Sequence, residues 1–224
     1  MNYLDIFDNA KVWIKYVHFL NKKYYRNDFL EVGAGIGSFT DEYKKNISNI
    51  FLTEINKNNL KILNEKYKED KNVTILEGHI DKISHKFNTI CHFNVLEHIE
   101  KDKEEIIECL KKINKDGYLV ILVPAHNKLY SNLDKDVGHY RRYDKSFFNN
   151  LNLSNAKIIK LKYVDCMGYI LYYMNKLIYK KEVYPSNFKI FIWDKIFTPI
   201  TIIFDFLTAY KFGKNILCVI KKIE

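Results

Sequence analysis

Proline occurs three times in this chain of 224 residues, arginine three times and glycine eight times. So little proline and glycine leaves no candidate for a flexible linker, and no internal repeat is visible. The four cysteines, Cys91, Cys109, Cys166 and Cys218, are too far apart for a metal or redox motif. No metal centre is expected, and the thiols read as small core residues. A long basic block is also missing: the net charge of +9 is spread along the chain in pairs such as Lys44-Lys45 and Lys221-Lys222. A nucleic-acid partner is therefore not expected, and most of the charge reads as lysine on solvated helix faces. Met1 to Asp8 carries two aspartates and no basic stretch ahead of an apolar run, unlike a secretion signal. With the dispersed thiols, this predicts a cytoplasmic protein.

What is present is a globular composition, 47% hydrophobic and 15% aromatic, which excludes disorder. Ile6 to Leu20 reads as an amphipathic helix. Short apolar runs at Phe29–Val32, Ile50–Thr53, Val73–Leu76, Thr89–Phe93 and Tyr118–Val123 read as strands. Helices are predicted between them at Leu60–Tyr67 and Lys103–Ile113, with another opened by Ser38 and Asp41 as a capping box. Such alternation predicts an α/β fold, a doubly wound, mostly parallel sheet whose ligands sit at the carboxyl ends of the strands. Two further strands are predicted at Ile158–Val164 and Ile216–Lys221. Between them lie helical stretches at Met167–Tyr179 and Phe188–Leu207.

The second stretch contains eighteen residues from Ile190 that approach a membrane span in length. Asp194, Lys195 and Asp205 interrupt it, and Pro199 would kink it. A buried or substrate-covering helical insertion before the last strand is the reading adopted, with docking on a membrane surface as the alternative. One domain is expected over 1–224, with residues 1–28 as an N-terminal helical cover and about 167–210 as the insertion.

Three of the eight glycines fall at Gly33, Gly35 and Gly37, immediately after the first strand. Glycine there lets backbone approach a ligand and present its amides at a helix N-terminus. A dinucleotide fingerprint would need glycine at position 38, where this chain has Ser38. Glu31, ahead of the first glycine, would suit a cationic amine and repel a pyrophosphate. Glu54 ends the second strand, where a carboxylate can accept the hydroxyls of a ribose.

These residues, with Asn94-Val95-Leu96-Glu97-His98 after the fourth strand, resemble the class I S-adenosylmethionine-dependent methyltransferases of the small-molecule (type 11/12) kind. The resemblance implies a Rossmann-like methyltransferase fold with S-adenosylmethionine as cofactor. It implies that Glu31, Gly33, Ala34, Gly35 and Gly37 surround the methionine end, that Glu54 holds the ribose, and that Ile55 lies against the adenine. Gly78, His79 and Ile80 would flank the adenine, with His79 where the family usually has aspartate. Asn94 and Val95 would lie beside the methionine portion.

Methyl transfer from a sulfonium needs alignment and exclusion of water, and a base only where the acceptor must lose a proton. His98, His126 and His139 are the candidates for that base. The segment Gly138-His139-Tyr140-Arg141-Arg142-Tyr143 resembles one found in a subset of these enzymes. With Tyr130, its residues His139, Tyr140, Arg141, Arg142 and Tyr143 are the expected acceptor contacts. An adjacent arginine pair in a lysine-rich chain either binds an anionic acceptor or clamps the loop to acidic residues. The expected reaction is methylation of an oxygen or nitrogen on a small-molecule or lipid- or glycan-linked acceptor. The alternatives are an NAD(P)-dependent oxidoreductase and a non-catalytic partner that kept the cofactor fold.

Overall fold

Residues 7–179 and 186–224 are described by the structure, a computed structural model. The sheet has seven strands: β1 (Phe29–Val32), β2 (Ile50–Glu54), β3 (Val73–Glu77), β4 (Phe87–Phe93), β5 (Ile113–Pro124), β6 (Ala156–Val164) and β7 (Asn215–Lys222). Their order is β3-β2-β1-β4-β5-β7-β6. The first five run parallel, and β7 pairs antiparallel with both β5 and β6. Strand order reverses between β1 and β4, which opens a crevice at their carboxyl ends. Every expected strand is present. β5 begins earlier than expected, because Ile113, read as the end of a helix, instead pairs with Phe87 of β4.

The helices are α1 (Lys11–Asn21), α2 (Thr40–Tyr43), α3 (Lys57–Lys66), α4 (Asp102–Lys112), α5 (Asn132–Asp136), α6 (Lys145–Asn149), α7 (Cys166–Tyr179), α8 (Asn187–Ile192) and α9 (Thr198–Leu207). Ile6, the expected start of the first helix, lies outside the described residues, as does most of Met1 to Asp8. Apolar layers cover both sheet faces. One joins Phe29, Leu52, Cys91 and Val120 to Trp13, Tyr16 and Val17 of α1. The other joins Leu30, Ile90 and Ile121 to Ile106, Cys109 and Leu110 of α4.

The capping box expected from Ser38 and Asp41 does not form. Phe39 precedes α2 without a side-chain cap. Asp41 is drawn instead to Lys66 at 2.7 Å and to the Tyr67 hydroxyl at 2.9 Å.

The two aspartates in the apolar C-terminal stretch are buried, and both cap other helices. Asp194 accepts from the amides of Val12 and Trp13 in the first turn of α1, at 3.2 and 2.9 Å. Those amides have no partner within their own helix, and Ala10 at the cap position cannot supply one. Asp205 accepts from the amides of Asp165 and Cys166 at the start of α7, and from the Tyr16 hydroxyl. Before Pro199, which has no N–H to donate, Trp193–Phe197 widens into one π turn that joins α8 to α9. No helix among the described residues is long and apolar enough to cross a membrane.

Candidate active site

β1 ends at Val32, and the chain turns through Gly33, Gly35 and Gly37 at φ values of +64°, +58° and +78°. That left-handed region strains any residue with a Cβ. A methyl group on Gly33 would meet Val95 Cγ2 at 2.9 Å, and one on Gly37 would run into the Tyr67 hydroxyl. Tyr67 in turn donates to Gly37 O at 2.8 Å. Between them, Ala34 donates its amide to Thr53 O of β2 at 2.9 Å. The turn is therefore packed against the ends of β2 and β4 at once.

Glu54 sits in the middle of this arrangement. Its Oε2 accepts from the Gly35 amide at 2.9 Å and from Asn59 Nδ2 at 3.3 Å. Its Oε1 accepts from the amides of Ile55 and Asn56 at 2.7 and 2.8 Å. The buried carboxylate thus ties the glycine turn to the start of α3.

Glu31 takes a different place. It is only 2% exposed, sealed below the turn, where Thr40 Oγ1 donates to it at 2.6 Å and the Tyr43 hydroxyl also donates. Burial pushes its carboxyl up to about 7, although both hydroxyls pull the other way.

Around the crevice mouth, Ile55 is 61% exposed. Gly78 adopts φ +119° with open space where a Cβ would lie, and His79 is exposed. Ile80 is turned away, its side chain buried in the apolar layer beneath α4. Asn94 leaves β4 at φ +55°, a left-handed conformation in a non-glycine residue. Val95 follows, half-buried against Gly33.

The loop after β5 folds back onto this segment. Asp134 gathers three partners there. His139 Nδ1 lies 2.8 Å from its Oδ1, Arg142 Nε donates to both carboxylate oxygens at 2.9 and 3.0 Å, and Ser131 donates to Oδ2. Burial alone would push this carboxyl up. The His139 hydrogen bond and the Arg142 guanidinium outweigh it and bring Asp134 down to about 2.

His139 Nε2 points to Glu97 Oε1 at 4.0 Å, and the His98 ring packs edge-on at 4.6 Å between centroids. Burial pushes Glu97 up to about 8, and its second oxygen has no hydrogen-bond partner. Glu97, His98 and His139 thus offer one carboxylate oxygen and two ring nitrogens within 4.8 Å of one another. Either a proton or a divalent cation can be held by such a set.

Of the three candidate histidines, two meet here. His126 does not: its Nε2 lies 2.9 Å from Gly213 O, and its ring stacks on Tyr163 of β6. Both arginines are ion-paired within the chain, Arg141 to Asp102 at 2.8 Å and Arg142 to Asp134. Arg142 keeps one buried nitrogen, Nη1, without a partner. Tyr140 is exposed above Glu97, whose carbonyl accepts its amide, and Tyr130 donates to His139 O. Tyr143, expected among the acceptor contacts, is buried instead, with its hydroxyl bonded to Leu96 O and Asp102. It holds the loop down from beneath.

Sequence reasoning assigned no part to Asp134, although Ser131-x-x-Asp134 carries the signal of the capping box that does form. Tyr172 was missed as well. From α7 it bonds Leu129 O and Ser131 Oγ, and its ring lies 4.8 Å from the Arg142 guanidinium. No local signal could have paired it with the loop.

Comparison with known proteins agrees with this geometry. Residues 7–156 match a family described as a methyltransferase domain. No curated protein matches the chain in sequence. Among solved structures, an S-adenosylmethionine-dependent methyltransferase from Clostridium acetobutylicum is 13% identical, with a TM-score of 0.64 over 99% of this chain and 98% of that one. The N-methyltransferase NodS from Bradyrhizobium japonicum, solved with S-adenosyl-L-homocysteine, is 12% identical, with a TM-score of 0.59 over 94% and 85%. A putative sarcosine dimethylglycine methyltransferase from Galdieria sulphuraria is 13% identical, with a TM-score of 0.63 over 96% and 86%. At these identities the solved structures speak for the fold, and the family match covers about two thirds of the chain. The chain therefore belongs to the methyltransferase-domain family, as a class I S-adenosylmethionine-dependent methyltransferase.

Proposed function

We propose that this enzyme methylates an oxygen or nitrogen of a small-molecule or lipid- or glycan-linked acceptor, with His139 taking the acceptor's proton. The observation that carries the reading is the Asp134–His139 pair in the loop packed against Glu97 and His98. With Nδ1 donating its hydrogen to Asp134, the imidazole is held in the tautomer that leaves Nε2 free to accept. Asp134 is a firm anchor because Arg142 and Ser131 fix it in turn.

The glycine turn supports the cofactor reading: Val95 and Tyr67 leave no room for a side chain at Gly33 and Gly37, so the backbone itself forms the surface there. Glu54 would hold the ribose, Ile55 and the Gly78-His79 corner would flank the adenine, and Asn94 would lie by the methionine portion. The cofactor supplies a methyl group on a sulfonium, already attached to a good leaving group. Residues of the chain have the tasks of orienting the acceptor, excluding water and removing one proton.

Support for an anionic acceptor comes from Arg142 Nη1, a buried donor with no partner. Tyr172 ties α7 to the loop, which supports the insertion as the cover over the acceptor. Under this reading His139→Gln lowers kcat at least a hundredfold while leaving affinity for S-adenosylhomocysteine unchanged, about the usual weight of a general base. Chelators leave activity intact. Loss of activity on chelation, restored by a divalent ion, would refute the proton-acceptor role and give the Glu97–His98–His139 group to a metal.

A further inference from the structure

The segment from Phe188 to Leu207 is built the wrong way round for a helix on a globular protein. Beside Ile190 and Trp193, its inward face carries the polar Asp194, Thr198, Thr201 and Asp205, whereas Phe188, Phe191, Ile203, Phe206 and Leu207 are exposed. Phe188 and Phe206 are each 73% exposed. Ile196, Ile202 and Phe204 are exposed as well, so apolar side chains face outward at both ends of the segment, on the side opposite the buried aspartates. Proteins seldom leave so much contiguous apolar surface in water without something to cover it.

The charge around this outer face has one sign. Within residues 186–212 the only acids are Asp194 and Asp205, and both are buried as helix caps. The exposed charged side chains of the segment are Lys189, Lys195 and Lys211, of which Lys195 also pairs with the buried Asp194 at 3.0 Å. An apolar face bordered only by ammonium groups is complementary to a surface that is apolar inside and anionic outside.

We infer that α8 and α9 dock flat on an anionic lipid bilayer, with the phenylalanines among the acyl chains and the lysines at the headgroups. Two features suit this attachment. Asp194 and Asp205 bind the segment rigidly to α1 and α7, so the apolar face is already ordered before it meets a surface. No described helix is long and apolar enough to span, so the attachment inferred is to the surface of the bilayer.

The test uses the full chain and sedimentation with vesicles of phosphatidylcholine, with and without phosphatidylglycerol. Binding is expected to the phosphatidylglycerol vesicles and to weaken with salt. It should fall about tenfold in Phe206→Ser, one buried aromatic's worth, and similarly in Phe191→Ser. Affinity for S-adenosylhomocysteine should be unchanged in both variants, which reports that they fold. Failure to bind phosphatidylglycerol vesicles overturns the inference. So does a concentration-dependent dimer that Phe206→Ser dissociates while vesicles stay unbound, an outcome that assigns the apolar face to a second copy of the chain.

Discussion

Replacing Gly33 by alanine tests whether the glycine turn and the Asn94-Val95 segment form one unit. Two penalties add at this position. Alanine at φ +64° costs about 1 kcal/mol in left-handed strain. The new methyl would stand 2.9 and 3.0 Å from the two Val95 methyls, and overpacking of this kind costs about 1–3 kcal/mol. A loss of about 2–4 kcal/mol is expected in urea unfolding followed by circular dichroism.

Val95→Ala alone removes half-buried methyls, for about 1 kcal/mol. In the double variant the overlap disappears and the strain stays. The pair should therefore be more stable than the sum of the single effects predicts, by about 1–3 kcal/mol, the overlap that has gone. Additivity within about 0.5 kcal/mol would refute the contact and leave strain as the whole effect. The same variants titrated with S-adenosylhomocysteine show whether the turn needs the Val95 contact to bind.

Asp194→Ala leaves the buried amides of Val12 and Trp13 unpaired and should cost about 1–2 kcal/mol. Trp13 and Trp193, the only tryptophans, have ring centroids 5.6 Å apart, so their emission should shift to the red on mild heating before helicity is lost. Coincident transitions in the variant would argue against a separate lock. Glu97→Gln should remove a pH dependence. Burial raises the folded carboxyl to about 8, so the folded state holds a proton that the unfolded chain releases near its ordinary value of about 4.3. Stability of the native enzyme is then full below that value and declines as pH rises towards 8. The variant's Tm should gain on the native Tm between pH 5 and pH 8.5, and parallel curves would contradict the buried neutral acid.

The strands were legible because each is a short apolar run whose neighbours along the chain mark its ends, as at Phe29–Val32 before Gly33. The glycine turn was legible for a related reason: glycine is rare in this chain, and φ above zero needs it. Helix starts were read less well. Ser38 and Asp41 have the spacing of a cap, yet Lys66 and Tyr67, distant in sequence, claim the Asp41 carboxylate. The acids of the C-terminal stretch were read as interruptions of an apolar run. In the fold they cap helices up to 182 residues away, a pairing that no local pattern records.

By itself the sequence determined the α/β alternation, the turn that admits a cofactor and the acid at the end of β2, because these depend on periodicity and on residues within one turn of each other. Tertiary structure decided the rest. It sealed Glu31 under α2 and brought His139 together with Asp134 and Glu97. It committed Arg141 and Tyr143 to Asp102, and left the phenylalanines of α8 and α9 outside. Each of these outcomes depends on which distant carboxylate or amide reaches a group first and how much water is excluded around it, and only the packed chain sets those distances.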